Sequence, residues 1–337
     1  MKALILLVLS LLWVCAQPAS AQSPNEQARF LAGLPVHDSA LEPLTRQSAF
    51  AQHASALNQA WAQKSASLGQ VRRWARTNLG ERSGGTLQYF FSGPDALYAY
   101  SFMPRASTYI LCGTEPVGNL PDVTRISAEA LPGALADLRR GMRTMLTFHY
   151  FITKEMRTDL QGHSLGGTLP ILYVFLARLG ATIEDVKLIN QPAHGVQINF
   201  IGNSGAAQTL YYFKTNLANG GASGFLRWCA AQGPAVSLLK SDSYLLHTDS
   251  FSETRRFLLD HSQLIVQDDS GVPLRAFDPR WTLRYFGNYT APIELFAKYH
   301  QPDLSAAYQA ARPAPLGFAF GYHWQVDRGA LMLATRR

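Results

Sequence analysis

Ser107-Thr108-Tyr109-Ile110-Leu111-Cys112 is the stretch on which the fold turns. It is largely apolar and runs straight into Gly113-Thr114-Glu115-Pro116, a stop rich in turn formers. A strand with one wet face alternates apolar and polar residues, whereas a nearly continuous apolar run belongs to a strand covered on both sides, as in parallel sheets. Working outward, Leu135, Leu138, Met142, Met145 and Leu146 fall on one helical face from about Ala134 into the 150s. A second helix is expected from Leu169 to Leu179, closed by Gly180. Val186–Ile189 reads as another short buried strand, ending at Asn190-Gln191-Pro192. Strand, helix, helix, strand is the succession of a layered α/β domain.

Further out, Phe50, Ala54, Leu57, Trp61, Leu68, Val71 and Trp74 recur at helical spacings, and the Gly80–Gly85 stretch breaks the pattern. Leu87–Phe91 and Leu97–Phe102 read as short β runs about a Gly93-Pro94-Asp95 turn. Thr209–Phe213 is strand-like and Phe251–Leu259 helical, while Leu264–Val266 and Val272–Phe277 flank Asp268-Asp269-Ser270-Gly271 as a hairpin would. Phe318, Phe320, Tyr322 and Trp324 alternate before a turn at Asp327-Arg328-Gly329 and the returning run 330–334. The expectation is an α/β fold: one layered α/β domain with a mixed sheet over 81–337, a helical N-terminal arm over 22–80 and a C-terminal β-hairpin.

The first residues carry a different message. Lys2, the apolar run Ala3–Val14 and the small residues Ala19-Ser20-Ala21 have the three parts of a cleavable secretory signal peptide spanning 1–21. The run is shorter than the ~20 residues a bilayer needs, so no transmembrane segment is expected after cleavage. The mature chain is then placed in the periplasm or outside the cell. Lipid anchoring through Cys15 is the competing reading, opposed by bulky Val14 where a small residue belongs. Cleavage leaves Cys112 and Cys229, too few for a disulfide framework, as one bridge or two buried thiols.

With 30 Lys and Arg against 23 Asp and Glu the chain is basic, which suits an anionic envelope. No basic block marks a nucleic-acid surface, since the pairs at 72–73, 139–140 and 255–256 read as solvated helix faces. No glycine-rich nucleotide loop appears and no metal-ligand spacing, so no cofactor and no metal is expected.

Gly162-His163-Ser164-Leu165-Gly166-Gly167 is similar to the nucleophile elbow of α/β-hydrolase lipases and esterases. That resemblance implies Ser164 as nucleophile and the Leu165 N–H in an oxyanion hole. A base would come from His323, His300 or His261, and an acid from Asp268, with Asp242, Asp249 and Asp269 as substitutes. The surroundings fit poorly. An elbow joins a buried strand directly to a helix, yet residues 154–161 are highly charged. Pro170 also belongs in the first turn of a helix beginning near Thr168 rather than in the second turn of one launched at Ser164. A separate acid/base pair, Glu115 with His194, is expected if the strands preceding them are parallel members of one sheet. Lys240-Ser241-Asp242 resembles a Ser–Lys dyad in composition alone.

Four longer segments (90–118, 167–180, 238–247 and 264–277) resemble a family of exported bacterial proteins of unknown function. The resemblance spans most of the mature chain and implies export without implying chemistry. Two function classes therefore stand: serine ester or acyl hydrolysis through Ser164, and a non-catalytic envelope protein that binds a ligand or partner.

Overall fold

The computed structural model describes residues 23–80, 84–148, 150, 165–323 and 325–337. The signal-peptide stretch with Cys15, the serine of the GHSLGG motif (Ser164) and Trp324 lie outside the described residues. Helices α1 (Pro24–Leu31) and the long α2 (Ser48–Leu79) open the described chain, with a single helical turn at Glu42–Thr45 between them. The sheet begins with β1 (Gly84–Tyr89) and β2 (Arg105–Gly113), joined through the short helix α3 (Ala96–Phe102). Then follow α4 (Leu131–Phe148), α5 (Leu169–Arg178), β3 (Thr182–Ile189), β4 (Gly195–Ile201) and β5 (Ala207–Lys214). The last third contributes α6 (Ser223–Ala231), β6 (Ala235–Leu239), α7 (Ser252–His261), β7 (Ser262–Gln267), β8 (Trp281–Gly287), α8 (Pro302–Ala311) and β9 (Ala330–Arg336).

Among the described residues these strands form one sheet in the order β3-β4-β5-β2-β1-β6-β7-β9-β8. The five from β5 to β7 are mutually parallel. Antiparallel strands finish both edges. The fold is the layered α/β architecture with a mixed sheet that the sequence leads one to expect. The apolar run 107–112 shows why. Tyr109 and Leu111 join the core beneath α2, α3, α4 and α5, while Ile110 and Cys112 join the core beneath α6 and α7. Neighbouring strands repeat the division: Leu87 and Tyr89 against Phe90, Val236 and Leu238 against Leu239, Leu264 and Val266 against Ile265. Side chains alternate across a strand, so a strand without polar positions needs a helical layer on each face. Cys112 and Cys229 are free thiols within the second of these layers.

Several local expectations are corrected. Leu97–Phe102 is helical, because the Asp95 carboxylate accepts the Tyr98 N–H at 3.1 Å and caps the turn, while burial all round leaves no polar face to betray the helix. Val186–Ile189 belongs to an edge strand with alternating burial. The two proposed hairpins do not form. Residues 272–277 make only a short 3₁₀ turn, and β7 pairs instead with β6 and β9. The run at 330–334 does not fold back on 318–323, which contribute an isolated bridge between Phe320 and His323. It pairs with β7 and β8, setting Val266 opposite Leu333 and Tyr285 opposite Met332. Leu331 and Leu333 are fully buried, and a strand of that kind is better covered inside the sheet than in a terminal ribbon.

Chain order reverses between β1 and β6: the helix after β1 leads to β2 on one side, and α7 after β6 leads to β7 on the other. Asp95, just past β1, and Lys240, just past β6, meet here at 2.9 Å with both side chains 1% exposed. The Tyr89 hydroxyl donates to the same Asp95 oxygen at 2.8 Å, and the Lys240 ammonium lies 4.2 Å from the Tyr98 ring centroid. Removing one member of a buried pair strands the other without its counter-charge. Lys240→Met is expected to lower stability by about 3–5 kcal/mol in urea unfolding, and adding Asp95→Asn to recover part of the loss. A single variant within about 0.5 kcal/mol of the parent would show that the pair does not hold this junction.

Candidate functional site

In open α/β sheets, ligands gather beyond the carboxyl ends of the strands, where chain order reverses. A cavity of about 320 Å³ opens at that place. The exits of four adjacent parallel strands reach it: Phe91 after β1, Glu115 after β2, Leu217 after β5, and Asp242 with Tyr244 after β6. Phe251, Phe296 and Tyr299 complete its wall from the connections outside the sheet.

Two strand exits are strained. Phe91 has φ +59° and Ser241 has φ +67°, and among the described residues the one other non-glycine at positive φ is Arg312, which ends α8. Ser241 (ψ −87°) forms the centre of a γ-turn closed by the Asp242 N–H on the Lys240 carbonyl at 3.0 Å. Such backbone costs of order 1–3 kcal/mol and persists only where its surroundings enforce it. The Ser241 N–H donates to Asp268 Oδ2 at 2.8 Å, while its buried hydroxyl has no hydrogen-bond partner among the described residues.

Glu115 is 2% exposed, and its carboxylate accepts from the Tyr212 hydroxyl at 3.3 Å. Gly113 makes room for it, since a Cβ there would overlap Glu115 Oε2. Burial, and then the Glu115 charge, push the Tyr212 phenol far above its ordinary value. Asp242 accepts from the Tyr322 hydroxyl.

Asp268 and Asp269, expected in a surface turn, are buried at the exit of β7. Asp268 also accepts from the Ser270 N–H at 2.9 Å and the Ser270 hydroxyl at 2.5 Å, and Asp269 from the Tyr244 hydroxyl at 2.5 Å. Desolvation pushes both carboxyls up, and the Asp269 charge adds to the effect on Asp268. His323 lies in the same neighbourhood. Burial lowers its pKa, and the Asp268 charge followed by the Ala291 backbone opposes that shift.

The remaining histidines named from the sequence are engaged elsewhere. His300 contacts the Ser305 hydroxyl at 3.3 Å, and His261 stacks on Phe257 at 4.5 Å. His194 contacts Asn190 at 3.0 Å on the surface. Strands β3 and β2 do run in the same direction, but β4 and β5 separate them, so Glu115 and His194 do not pair. Sequence reasoning found Glu115 through the strand-end rule and missed Phe91, Tyr244, Phe296 and Tyr299. Only their aromatic character could have signalled them.

After the GHSLGG serine, the described chain serves a packing purpose. Gly167, at φ +91°, crosses Gly118 so closely that a Cβ on Gly167 would overlap the Gly118 backbone, and one on Gly118 would overlap the Gly166 carbonyl. The Thr168 and Leu169 N–H groups then donate to the Pro116 and Val117 carbonyls at 2.9 and 3.0 Å. Helix α5 starts at Leu169 with Pro170 in its first turn, as the proline demands.

Among the described residues no group of three His, Cys, Asp or Glu could hold a metal ion, and no helix is long and apolar enough to cross a membrane. No protein-family model matches the chain, and no curated protein matches it.

The raised carboxyls set a pH test. A carboxyl whose pKa is raised on folding stabilises the protein at acid pH, and the contribution is lost as pH rises through the folded value. Asp268→Asn removes one such group. The variant is therefore expected to gain stability relative to the parent as pH rises from about 4 into the neutral range, by at most about 1.4 kcal/mol per pH unit. Urea midpoints at several pH values measure this, and parallel curves for the two proteins would contradict it.

Proposed function

We propose that this is an exported protein, working in the periplasm or outside the cell, which binds a small and mostly apolar molecule in the cavity at its parallel strand ends. One observation carries the reading: the strained residues Phe91 and Ser241 leave adjacent strands on the two sides of the chain-order reversal, and the cavity lies at those same strand ends. Strain of this kind concentrates at functional sites, and the volume falls at the lower end of the range for small-molecule pockets. A neutral solvatochromic naphthalene dye tests it with purified 22–337. Saturable binding at one site is expected, with loss on Phe251→Arg. Unchanged binding by that variant would place the dye elsewhere and reject the cavity.

Serine ester or acyl hydrolysis is the second reading, and one feature besides the spelling around Ser164 favours it. Ser241 sits on a strained turn between a parallel strand and a 3₁₀ helix, its hydroxyl has no partner among the described residues, and Asp268 and His323 follow in the order serine, acid, histidine. A fluorophosphonate probe with peptide mapping separates the candidates. Labelling of Ser241, or of Ser164, would identify the nucleophile. Absence of label, with p-nitrophenyl ester turnover equal in the parent, Ser164→Ala and Ser241→Ala, would exclude hydrolysis and leave binding alone.

A further inference from the structure

We infer that a second pocket, at the opposite ends of the parallel strands from the cavity, binds a phosphate or sulfate group carried by a small molecule or a lipid head. Arg105 begins β2 and the turn carrying Asn203 precedes β5, so the pocket opens where these two parallel strands start. It encloses about 550 Å³ and brings together Trp61 and Arg72 of α2, Tyr100 of α3, Arg105, Arg178 of α5 and Asn203. Its described lining contains no Asp or Glu. Elsewhere on the surface arginines are answered by acids close in sequence: Arg46 by Glu42, Arg125 by Asp122, Arg140 by Asp137 and Arg280 by Asp278. Arg178 instead donates to neutral oxygens, from Nε to the Ala32 carbonyl and from Nη1 to the Asn58 side chain, both at 2.7 Å. Its Nη2 is buried with no hydrogen-bond partner among the described residues. Burial first, then the Arg76 charge, holds Arg72 below its ordinary value, with the Tyr100 phenol opposing and Arg73 adding to the shift. Burial alone lowers Arg178. Among the described residues no carboxylate acts on either guanidinium.

Half-buried charges without a counter-charge are costly, and an oxyanion in the pocket offsets that cost for Arg72 and Arg178 together. The wall is fixed before any ligand arrives. The Tyr100 hydroxyl accepts the Asn203 N–H at 2.9 Å, and the Asn203 side chain donates to the Leu179 carbonyl at 2.6 Å. Because Tyr100 is the acceptor in that bond, its own proton remains to be donated. Arg105, exposed and engaged with the Gly80 carbonyl at 3.2 Å, is a further cation of the lining. Guanidinium groups present planar sets of donors that match the oxygens of phosphate and sulfate. Two of them and a phenol, contributed by α2, α5 and α3, call for three oxygens, one more than a carboxylate has. Trp61 and Pro104 offer apolar surface to the body that carries the group.

Isothermal titration calorimetry on purified 22–337, at neutral pH and low ionic strength, provides the test with phenyl phosphate and benzoate. Phenyl phosphate is expected to bind saturably at one site, and benzoate at least about tenfold more weakly. Arg72→Gln should weaken phenyl phosphate at least about tenfold, and Arg178→Gln, made independently, should do the same. Arg73→Gln removes the same charge one residue along and should bind as the parent does. Far-ultraviolet circular dichroism checks that each variant is folded. Sedimentation with phosphatidylcholine vesicles, with and without phosphatidic acid, identifies the carrier. Co-sedimentation that needs both phosphatidic acid and Arg72 would put the group on a lipid, and binding of phenyl phosphate alone would put it on a soluble molecule; both support the site. Equal weakening by Arg72→Gln and Arg73→Gln would reduce the effect to diffuse surface charge and overturn the inference. Absence of binding to both the ester and the vesicles would overturn it too.

Discussion

The buried contact between Lys240 and Asp95 is the constraint on which the architecture depends. It fastens the two strands from which the chain departs in opposite directions, and it does so without water. Removing two charges from water is expensive, so such a pair survives only when other groups share the load. Tyr89 and the capped first turn of α3 supply hydrogen bonds to Asp95, and the Tyr98 ring faces Lys240. The N-terminal arm joins the same cluster. Lys64 of α2 lies 5.3 Å from the centroid of the same Tyr98 ring and donates to the Met145 carbonyl of α4 at 2.8 Å. Burial first, and then the Lys240 charge, lower its pKa to about 7. Arm, sheet and covering helix therefore meet around one aromatic ring.

What the sequence discloses about this fold follows from the range of the interactions concerned. The double-sided burial of 107–112 is written in consecutive residues, and so is the launch of α5 at Pro170. Leu97–Phe102 reads as a strand in sequence because its helix has no polar face and is decided by Asp95, a residue that also belongs to a distant ion pair. The aromatic alternation of 318–323 is real, and Phe318 and Phe320 are core residues, yet their partners are Phe102 and Trp74 rather than a returning strand. Asp268 and Asp269 look like turn residues in sequence, yet both are buried just past β7, where the Ser241 N–H and the Ser270 and Tyr244 hydroxyls meet their carboxylates.

The candidate site was legible to a smaller degree. Glu115 could be named because it follows a legible strand, whereas Asp242 could be named only as one of several acids downstream of Ser164. The backbone of Phe91 and Ser241 could not, since neither residue type favours positive φ and the conformation is imposed by the two strands they leave. Phe296 and Tyr299 arrive from far along the chain, in a segment with no regular periodicity to announce which face turns inward.

The crossing of Gly118 over Gly167 bears on how such motifs should be interpreted. Two backbones in contact leave no volume for a side chain at either position, whatever the neighbouring serine does. Selection acting on packing alone would hold Gly167 in place through long divergence, and with it the closing letter of a phrase associated with esterases. Persistence of that glycine among related chains would accordingly measure the tightness of a loop crossing. Only the fate of the serine itself, varying or fixed while the glycine stays, would speak to chemistry.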